Sequence, residues 1–111
     1  MRGDLTRYPE NVATKVRQRV TLHCAGTNPV DWCMPVEGQT ASHGITYAGE
    51  VLENQENTFS LNTDGGQFAL VIKSTALSDG RVYRCKDVVD IVGHHADAEV
   101  IVFGKTCSYF S

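Results

Sequence analysis

The sequence of 111 residues has little positive charge and no long apolar run. Its 10 Lys and Arg are scattered and are outnumbered by 13 Asp and Glu, which gives a net charge of −3. A nucleic-acid-binding domain would instead present a basic stripe to the phosphates. No apolar stretch approaches the roughly 20 residues of a membrane-spanning helix. With 41% hydrophobic residues the chain can build a core, and we expect one domain over residues 1–111, with residues 1–4 as a flexible tail.

The spacing of a structural zinc site is also missing. The four cysteines, Cys24, Cys33, Cys85 and Cys107, include no close pair of the kind that holds zinc. We therefore expect no metal and no cofactor. An even number of widely spaced cysteines favours disulfides and an oxidising compartment. Because the chain begins Met1-Arg2-Gly3 without an apolar targeting segment, we expect a mature ectodomain, with a signal peptide and any membrane anchor outside this sequence.

What the sequence does contain is an alternation of polar and apolar residues with a period of two. Residues 19–24 and 67–73 alternate polar and apolar side chains, and residues 97–103 do so with less definite facing. The inward residues are Val20, Leu22 and Cys24 in the first strand and Phe68, Leu70 and Ile72 in the second. Turn residues separate the strands, and only residues 74–79 could form a helical turn. About seven to nine strands at this spacing predict an all-β antiparallel sandwich or barrel.

A longer pattern resembles the immunoglobulin V-set domain over nearly the whole chain. It consists of Cys24, Trp32, Leu70-Val71-Ile72 and Asp79-Gly80-Arg81-Val82-Tyr83-Arg84-Cys85. The resemblance implies a two-sheet immunoglobulin-like sandwich of V type, in which a Cys24–Cys85 disulfide joins the sheets. Closing a loop of about 60 residues would contribute roughly 4 kcal/mol to stability. The core residues that it implies are Trp32, Leu70, Ile72 and Tyr83, with the Tyr83 hydroxyl turned onto the backbone at a corner marked by Asp79.

The chain departs from that family at the corner and is long enough for extra strands. Arg81 stands where Gly or Ala is usual, and no Arg precedes Phe59 to pair with Asp79. The usual ion pair at this end of the sandwich is therefore in doubt. The chain between Trp32 and Phe68 has room for the C′ and C″ strands of a V-type domain, which we place within residues 44–52 and 54–61.

The segment after Cys85 predicts a long hairpin. If Cys85 lies opposite Phe103, the turn falls at residues 93–95, and the arms 86–92 and 96–102 form a ribbon above the sandwich. The lower half of the preceding strand would then lack a partner unless the last strand continued through residues 103–109. Phe103, Gly104 and Thr106 resemble the joining-segment motif of antigen-receptor variable domains, although its second glycine is missing. The alternative is that Phe103-Gly104 ends a strand.

The remaining two cysteines are not required by the family pattern. Cys33 follows the inward Trp32 and should point to the outer face of its sheet, while Cys107 lies on or near the last strand. One intervening strand separates these positions by roughly 9–10 Å, whereas a disulfide needs Cα atoms within about 7 Å. A Cys33–Cys107 bridge requires the last strand to lift or fold over. Free thiols and an intermolecular bridge are the alternatives.

Candidate binding residues cluster near the tip of the predicted hairpin. Val89, Ile91 and Val92 have no evident core to bury them, so they are candidates for partner contact unless they fold over the sheet. Asp90 lies among them. His94 and His95 could bind a metal or sense pH, and the alternative is that they are only polar turn residues.

The same end of the domain carries an excess of acidic residues. Lys86 is outnumbered by Glu50, Glu53, Glu56, Asp87, Asp90, Asp97 and Glu99. Such a patch would steer a basic partner towards the domain. The alternative is a solvated face that only keeps the protein soluble.

The resemblance implies an extracellular recognition module, secreted or at the cell surface, in immune recognition or cell adhesion. It would bind a protein ligand or receptor, or pair with another V-type domain, and a homodimer could use the outer sheet face with Phe103, Tyr47 and Cys33. We expect no enzymatic activity, no nucleic acid and no membrane contact by this domain. The alternatives are a carbohydrate-binding module using the acidic loops and a thiol hydrolase using Cys33 with a histidine.

Overall fold

The computed structural model describes residues 5–36, 38, 42–89 and 94–104, and this part of the chain is built from short β-strands. The strands are β1 (Leu5–Arg7), β2 (Val12–Lys15), β3 (Val20–Leu22), β4 (Ala25–Gly26), β5 (Val30–Pro35), β6 (Ser42–Gly44), β7 (Thr46–Tyr47), β8 (Glu50–Val51), β9 (Phe59–Asn62), β10 (Ala69–Ile72), β11 (Arg81–Asp87) and β12 (His95–Phe103). Three 3₁₀ turns lie at Glu53–Gln55, Asp64–Gly66 and Leu77–Asp79. No helix in the described part is long and apolar enough to cross a bilayer.

Two larger sheets pack face to face. One has five strands in the order β2-β12-β11-β5-β6, and the other has three in the order β3-β10-β9. The small pairs β1-β4 and β7-β8 extend their edges. Every pairing is antiparallel except the parallel contact of β2 with β12. The described residues contain twelve strand segments, several of them only two or three residues long, and the predicted all-β sandwich is confirmed.

The core lies between the two sheets and follows the period-two pattern. Val20 and Leu22 of β3 face Leu70 and Ile72 of the adjacent β10, and all four side chains are buried. Trp32 from β5 fills the centre and is fully buried. Its indole Nε1 donates to the Phe68 carbonyl oxygen at 2.8 Å, which satisfies the only polar atom of the ring.

The Cys24–Cys85 disulfide joins the sheets beside Trp32, as the sequence predicted. The two Cα atoms are 6.6 Å apart, and 61 positions separate the cysteines in the chain. Both residues are fully buried. A loop of this length contributes about 4 kcal/mol through the lost entropy of the unfolded chain.

The corner before β11 is closed by hydrogen bonds. The Tyr83 hydroxyl donates to the Asp79 carbonyl oxygen at 2.6 Å, and its ring meets the edge of Phe59 at a centroid distance of 6.0 Å. The Asp79 carboxylate accepts from the Ala76 amide at 2.7 Å, so it closes its own turn. Arg81 leaves its buried Nε without a hydrogen-bond partner within the described chain. The helical turn expected within residues 74–79 is the short Leu77–Asp79 segment.

The two extra strands lie closer together than we predicted. The first is formed by β6 and β7, and the second is β8. The expected position of the second strand, residues 54–61, instead holds most of a 3₁₀ turn and the start of β9, which pairs with β10. The reason is the turn at Ala48 and Gly49, whose positive φ values of 54° and 83° reverse the chain directly after β7.

The register of the last hairpin was predicted wrongly. Cys85 lies opposite Ala96, not Phe103, and the Asp87 amide donates to the His94 carbonyl oxygen at 2.9 Å. Among the described residues, Lys86 pairs with His95, so the predicted pairing of arm 86–92 with arm 96–102 is wrong. Arg81, at the lower end of β11, already pairs with Val100. The last strand thus does not need to continue through residues 103–109 to pair with β11.

Phe103 is the last residue of β12, and Gly104 follows it. Phe103 pairs with Lys15 of β2, at the opposite end of the strand from the hairpin. This position agrees with the alternative in which Phe103-Gly104 ends a strand, and the likeness to the joining-segment motif stays a prediction. Thr106 lies outside the described residues.

Candidate functional site

The loop between β11 and β12 begins with two exposed valines. Val88 and Val89 are 46% and 57% exposed. Behind them Asp87 is almost fully buried, and its carboxylate accepts from the Asn28 side-chain amide at 3.3 Å and from the Val89 amide at 2.8 Å. The Val88 amide donates to the Pro29 carbonyl oxygen at 3.2 Å. Asp87 is therefore a structural anchor of this loop and not part of an acidic recognition surface.

The other predicted residues of this loop are only partly described. His94 lies at the end of the loop, and His95 begins β12 opposite Lys86. Asp90, Ile91 and Val92 lie outside the described residues. Within the described ranges, no group of three His, Cys, Asp or Glu side chains could hold a metal ion.

A second exposed apolar area lies on the outer face of the five-stranded sheet. Ile101 and Phe103 of β12 are 53% and 47% exposed. Ile101 lies opposite Ala13 of β2, and Val82 of β11 pairs with Glu99, two positions before Ile101. We call Ala13, Val82, Ile101 and Phe103 the sheet patch. The sequence named Phe103 for this face, but Ile101 was missed because the facing of residues 97–103 was not settled.

The centre of the same face is polar. Arg84 and Asp97 are opposite each other on β11 and β12, and the guanidinium donates to both carboxylate oxygens at 2.8 and 3.0 Å. This contact raises the pKa of Arg84 above its usual value. Asp97 is therefore neutralised by a neighbour and does not add to a free acidic surface.

Cys33 lies on this outer face, as expected, opposite Arg84 and Gly44. It is half-buried and carries a free thiol within the described chain. Burial raises the pKa of the thiol, an effect opposed by the hydroxyl of Ser42 and the charge of Arg84. A raised pKa leaves little thiolate at neutral pH, which works against the thiol-hydrolase alternative.

The predicted bond between Cys33 and Cys107 is not tested, because Cys107 lies outside the described residues. Cys33 and Asp97 lie on opposite sides of Arg84, because both residues pair with it across the sheet. From Asp97, β12 runs on to Phe103, about 20 Å further along. Cys107 is only four residues beyond Phe103, which is a reach of about 14 Å at most. A Cys33–Cys107 bond would therefore require the chain to leave the position of β12 before Phe103.

A third surface surrounds β8, at the edge of the sandwich. Tyr47 is 74% exposed there, the largest exposure among the large hydrophobic side chains described. Asp31 holds the turn that carries it: one carboxylate oxygen accepts from the Thr46 hydroxyl at 2.9 Å and the other from the Ala48 amide at 3.2 Å. Thr46 in turn accepts from the Trp32 amide at 2.9 Å, which ties this turn to the core.

No protein-family model matches the chain, and no curated protein matches it. Among solved structures, the chain is similar to the crystal structure of the titin M10–obscurin-like 1 Ig complex, with a TM-score of 0.68 and 20% sequence identity. The match covers 95% of this chain and 97% of that chain. The chain has an immunoglobulin-like fold. At this identity the likeness shows the fold alone.

Sequence reasoning located the framework of this immunoglobulin-like domain better than its surfaces. The disulfide, the central Trp32 and the Tyr83 corner lie where their motif placed them. The sheet patch and the surface around β8 depend on which strands become neighbours, and the spacing of residues along one strand does not carry that information. Alternation within residues 97–103 was the one signal that could have found Ile101.

Proposed function

We propose that this chain is a V-type recognition module that binds a protein partner outside the cell, secreted or at the cell surface, in immune recognition or adhesion. The observation that carries the proposal is the sheet patch. Ile101 and Phe103 are half exposed on a sheet face that is otherwise polar, and exposed apolar side chains grouped on one face are typical of protein-binding surfaces.

The V-type assignment is supported by the strands at the edge of the larger sheet. A V-type domain adds two strands between the third and fourth strands of the basic sandwich. Here β6 and β7 form the first addition, and β8 pairs with β7 as the second. The extracellular assignment is supported by the disulfide from Cys24 to Cys85, since such bonds persist in oxidising compartments.

The partner would be a protein receptor or ligand, and a second copy of this chain is one form that it could take. The sheet patch borders the Arg84–Asp97 pair, so apolar and charged side chains lie next to each other on this face, as in many non-obligate interfaces. Val88 and Val89, in the loop after β11, are separate candidate contacts.

The test is a binding screen against a panel of purified secreted and cell-surface ectodomains that includes this chain itself, read by surface plasmon resonance and light scattering. We expect one ectodomain to bind, and Ile101→Ser with Phe103→Ser to weaken that binding by about tenfold or more. The control is Tyr8→Ser with Leu77→Ser, which removes two exposed apolar side chains elsewhere and should leave binding unchanged.

Circular dichroism would first establish that both double variants are folded. Binding lost only in a Val88→Ser, Val89→Ser variant would contradict the sheet patch and assign recognition to the loop. Binding to glycans with no protein hit would replace this proposal with the carbohydrate-binding alternative. No binding to any ectodomain would contradict it.

A further inference from the structure

A groove runs along the edge of the sandwich where β8 and β9 approach each other, away from the sheet patch. It consists of two adjoining depressions, with cavity volumes of about 340 and 440 Å³, which share Glu50, Val51 and Glu56. Their apolar lining comes from Val51, Leu52, Phe59 and Leu61, and Tyr47 stands at one side. We call this feature, with Glu50, Glu53 and Glu56, the acidic groove.

The three glutamates of the acidic groove outnumber the one cationic side chain that lines it, Lys73. Among the residues that the structure describes, none of their carboxylates accepts a hydrogen bond or joins an ion pair. Lys73 lines the same groove, but its ammonium group donates to the backbone carbonyl oxygen of Glu56 at 2.7 Å. Two other acidic residues named from the sequence differ, because Asp87 is hydrogen-bonded internally and Asp97 is paired with Arg84.

The Tyr47 ring is presented beside these carboxylates by a fixed turn. Tyr47 and Glu50 are paired across the β7–β8 hairpin. The two turn residues between them, Ala48 and Gly49, have positive φ values, and the Asp31 carboxylate holds the turn through Thr46 and Ala48. An aromatic face and a carboxylate held side by side can together take a cationic head group.

We propose that the acidic groove binds an extended basic segment of a protein partner, with a Lys or Arg side chain lying between the Tyr47 ring and the three glutamates. Charge complementarity selects this occupant, because three unpaired carboxylates repel phosphate-bearing and other anionic partners. The apolar floor at Val51 and Leu52 fits the aliphatic stem of a long basic side chain, whose charged head stays at the rim.

Within the described chain, β9 pairs with β10 on one side, and β8 lies close to its other side. The groove between β8 and β9 therefore offers side chains to the partner segment and not a strand edge. This proposal involves a different surface from the sheet patch, and it holds or fails independently of that site.

The experiment titrates the folded domain with three fluorescent hexapeptides: alternating lysine and valine, alternating glutamate and valine, and alternating lysine and serine. Fluorescence anisotropy is measured at about 20 mM and about 200 mM salt, where screening differs strongly. We expect the lysine–valine peptide to bind, more weakly at the higher salt, and the other two to bind at least about fivefold more weakly. Amide shifts in ¹⁵N spectra should map to residues 47–61.

Matched charge variants separate the groove from general electrostatics. The first triple variant combines Glu50→Gln, Glu53→Gln and Glu56→Gln. It should weaken binding of the lysine–valine peptide by about tenfold, since each exposed ion pair changes the affinity by roughly a factor of two. The control variant combines Glu10→Gln, Asp64→Asn and Glu99→Gln, which change the net charge equally outside the groove. It should lower the affinity for the peptide by less than about twofold. Tyr47→Ala should lower that affinity by about threefold.

Each arm of the experiment has a result that would overturn the proposal. Absence of lysine–valine binding, or equal loss in the two triple variants, would show that the groove is not a specific site. Equal binding of the lysine–serine peptide would contradict the role of the apolar floor. Spectral shifts centred on Ile101 and Phe103 would move the basic segment to the sheet patch.

Discussion

Tyr83 shows how one side chain can tie the core to the backbone. Its ring is fully buried and touches Phe59, while its hydroxyl reaches the Asp79 carbonyl oxygen at 2.6 Å. Burial raises the pKa of Tyr83, and the nearby Asp79 charge adds to the effect. A buried phenol with a single short hydrogen bond is therefore held neutral.

We expect Tyr83→Phe to lower the free energy of unfolding by about 1–2 kcal/mol, because the Asp79 carbonyl oxygen loses its partner. Urea denaturation at pH 7 measures this. The control is Tyr8→Phe, which changes an exposed ring and should leave stability unchanged. Equal losses in both variants would contradict the corner as the cause.

The raised pKa of Tyr83 also makes stability depend on alkaline pH. The folded state holds the phenol proton more tightly than the unfolded chain, whose tyrosines titrate near about pH 10. The stabilising contribution is therefore fully present below about pH 10 and is lost as the pH rises above it. In the same urea experiment at about pH 11, Tyr83→Phe should lose less stability relative to pH 7 than the wild type does.

Among the elements, the β7–β8 hairpin depends on a residue outside it. Asp31 lies on β5, and its two carboxylate oxygens accept from the Thr46 hydroxyl and the Ala48 amide. Ala48 adopts a φ of 54°, a conformation that side chains other than glycine rarely take. The carboxylate thus stabilises a turn whose own sequence is not ideal for it.

We expect Asp31→Ala to lower the free energy of unfolding by about 1–3 kcal/mol, because the buried Thr46 hydroxyl loses its acceptor and the turn at Ala48 loses its anchor. Hydrogen exchange should show faster exchange of the Ala48 amide, and urea denaturation the lower stability. Asp97→Ala is the control: it removes an exposed ion pair with Arg84 and should cost at most about 1 kcal/mol. Unchanged exchange at Ala48 would contradict the anchoring role.

The β11–β12 pair shows why sequence alone placed this element wrongly. Alternation defines which residues share a face of a strand, but it does not define which residue of the next strand lies opposite. The observed partner of Cys85 is Ala96, seven positions before the predicted Phe103. A shift by an odd number changes the face on which every side chain of the strand lies relative to its neighbour. The register was decided by the neighbours of β12 on both sides, β11 and β2.

On the scale of the whole molecule, both sheets share one core centred on Trp32 and the disulfide. The buried apolar residues form one cluster with members from both large sheets. A domain with one core should unfold as one unit. Trp32 is the only tryptophan in the sequence, so its fluorescence reports on this core alone.

We expect Trp32 fluorescence and far-UV circular dichroism to give the same urea midpoint. Reduction of the Cys24–Cys85 bond should then lower the free energy of unfolding by about 4 kcal/mol, because the unfolded chain regains the entropy of the open loop. Cys33→Ser is the control and should respond to reductant as the wild type does. Two separate midpoints would contradict a single core.

The sequence by itself determined the parts of this protein that depend on local spacing and on residue type. Alternating apolar residues defined β3 and β10, and the motif from Asp79 to Cys85 located the corner and the disulfide. These features follow from side-chain periodicity and from a few bulky or reactive residues, which is information that a short stretch of chain carries.

Only the tertiary structure decided which side chains meet at the surface. Asp97 is paired with Arg84 and Asp87 is held by internal hydrogen bonds, whereas Glu50, Glu53 and Glu56 surround an apolar floor. Ile101 and Phe103 came to share an exposed face only when β12 took its place between β2 and β11. The physical reason is that a surface is made by residues distant in the chain, so it exists only once register and sheet order are set.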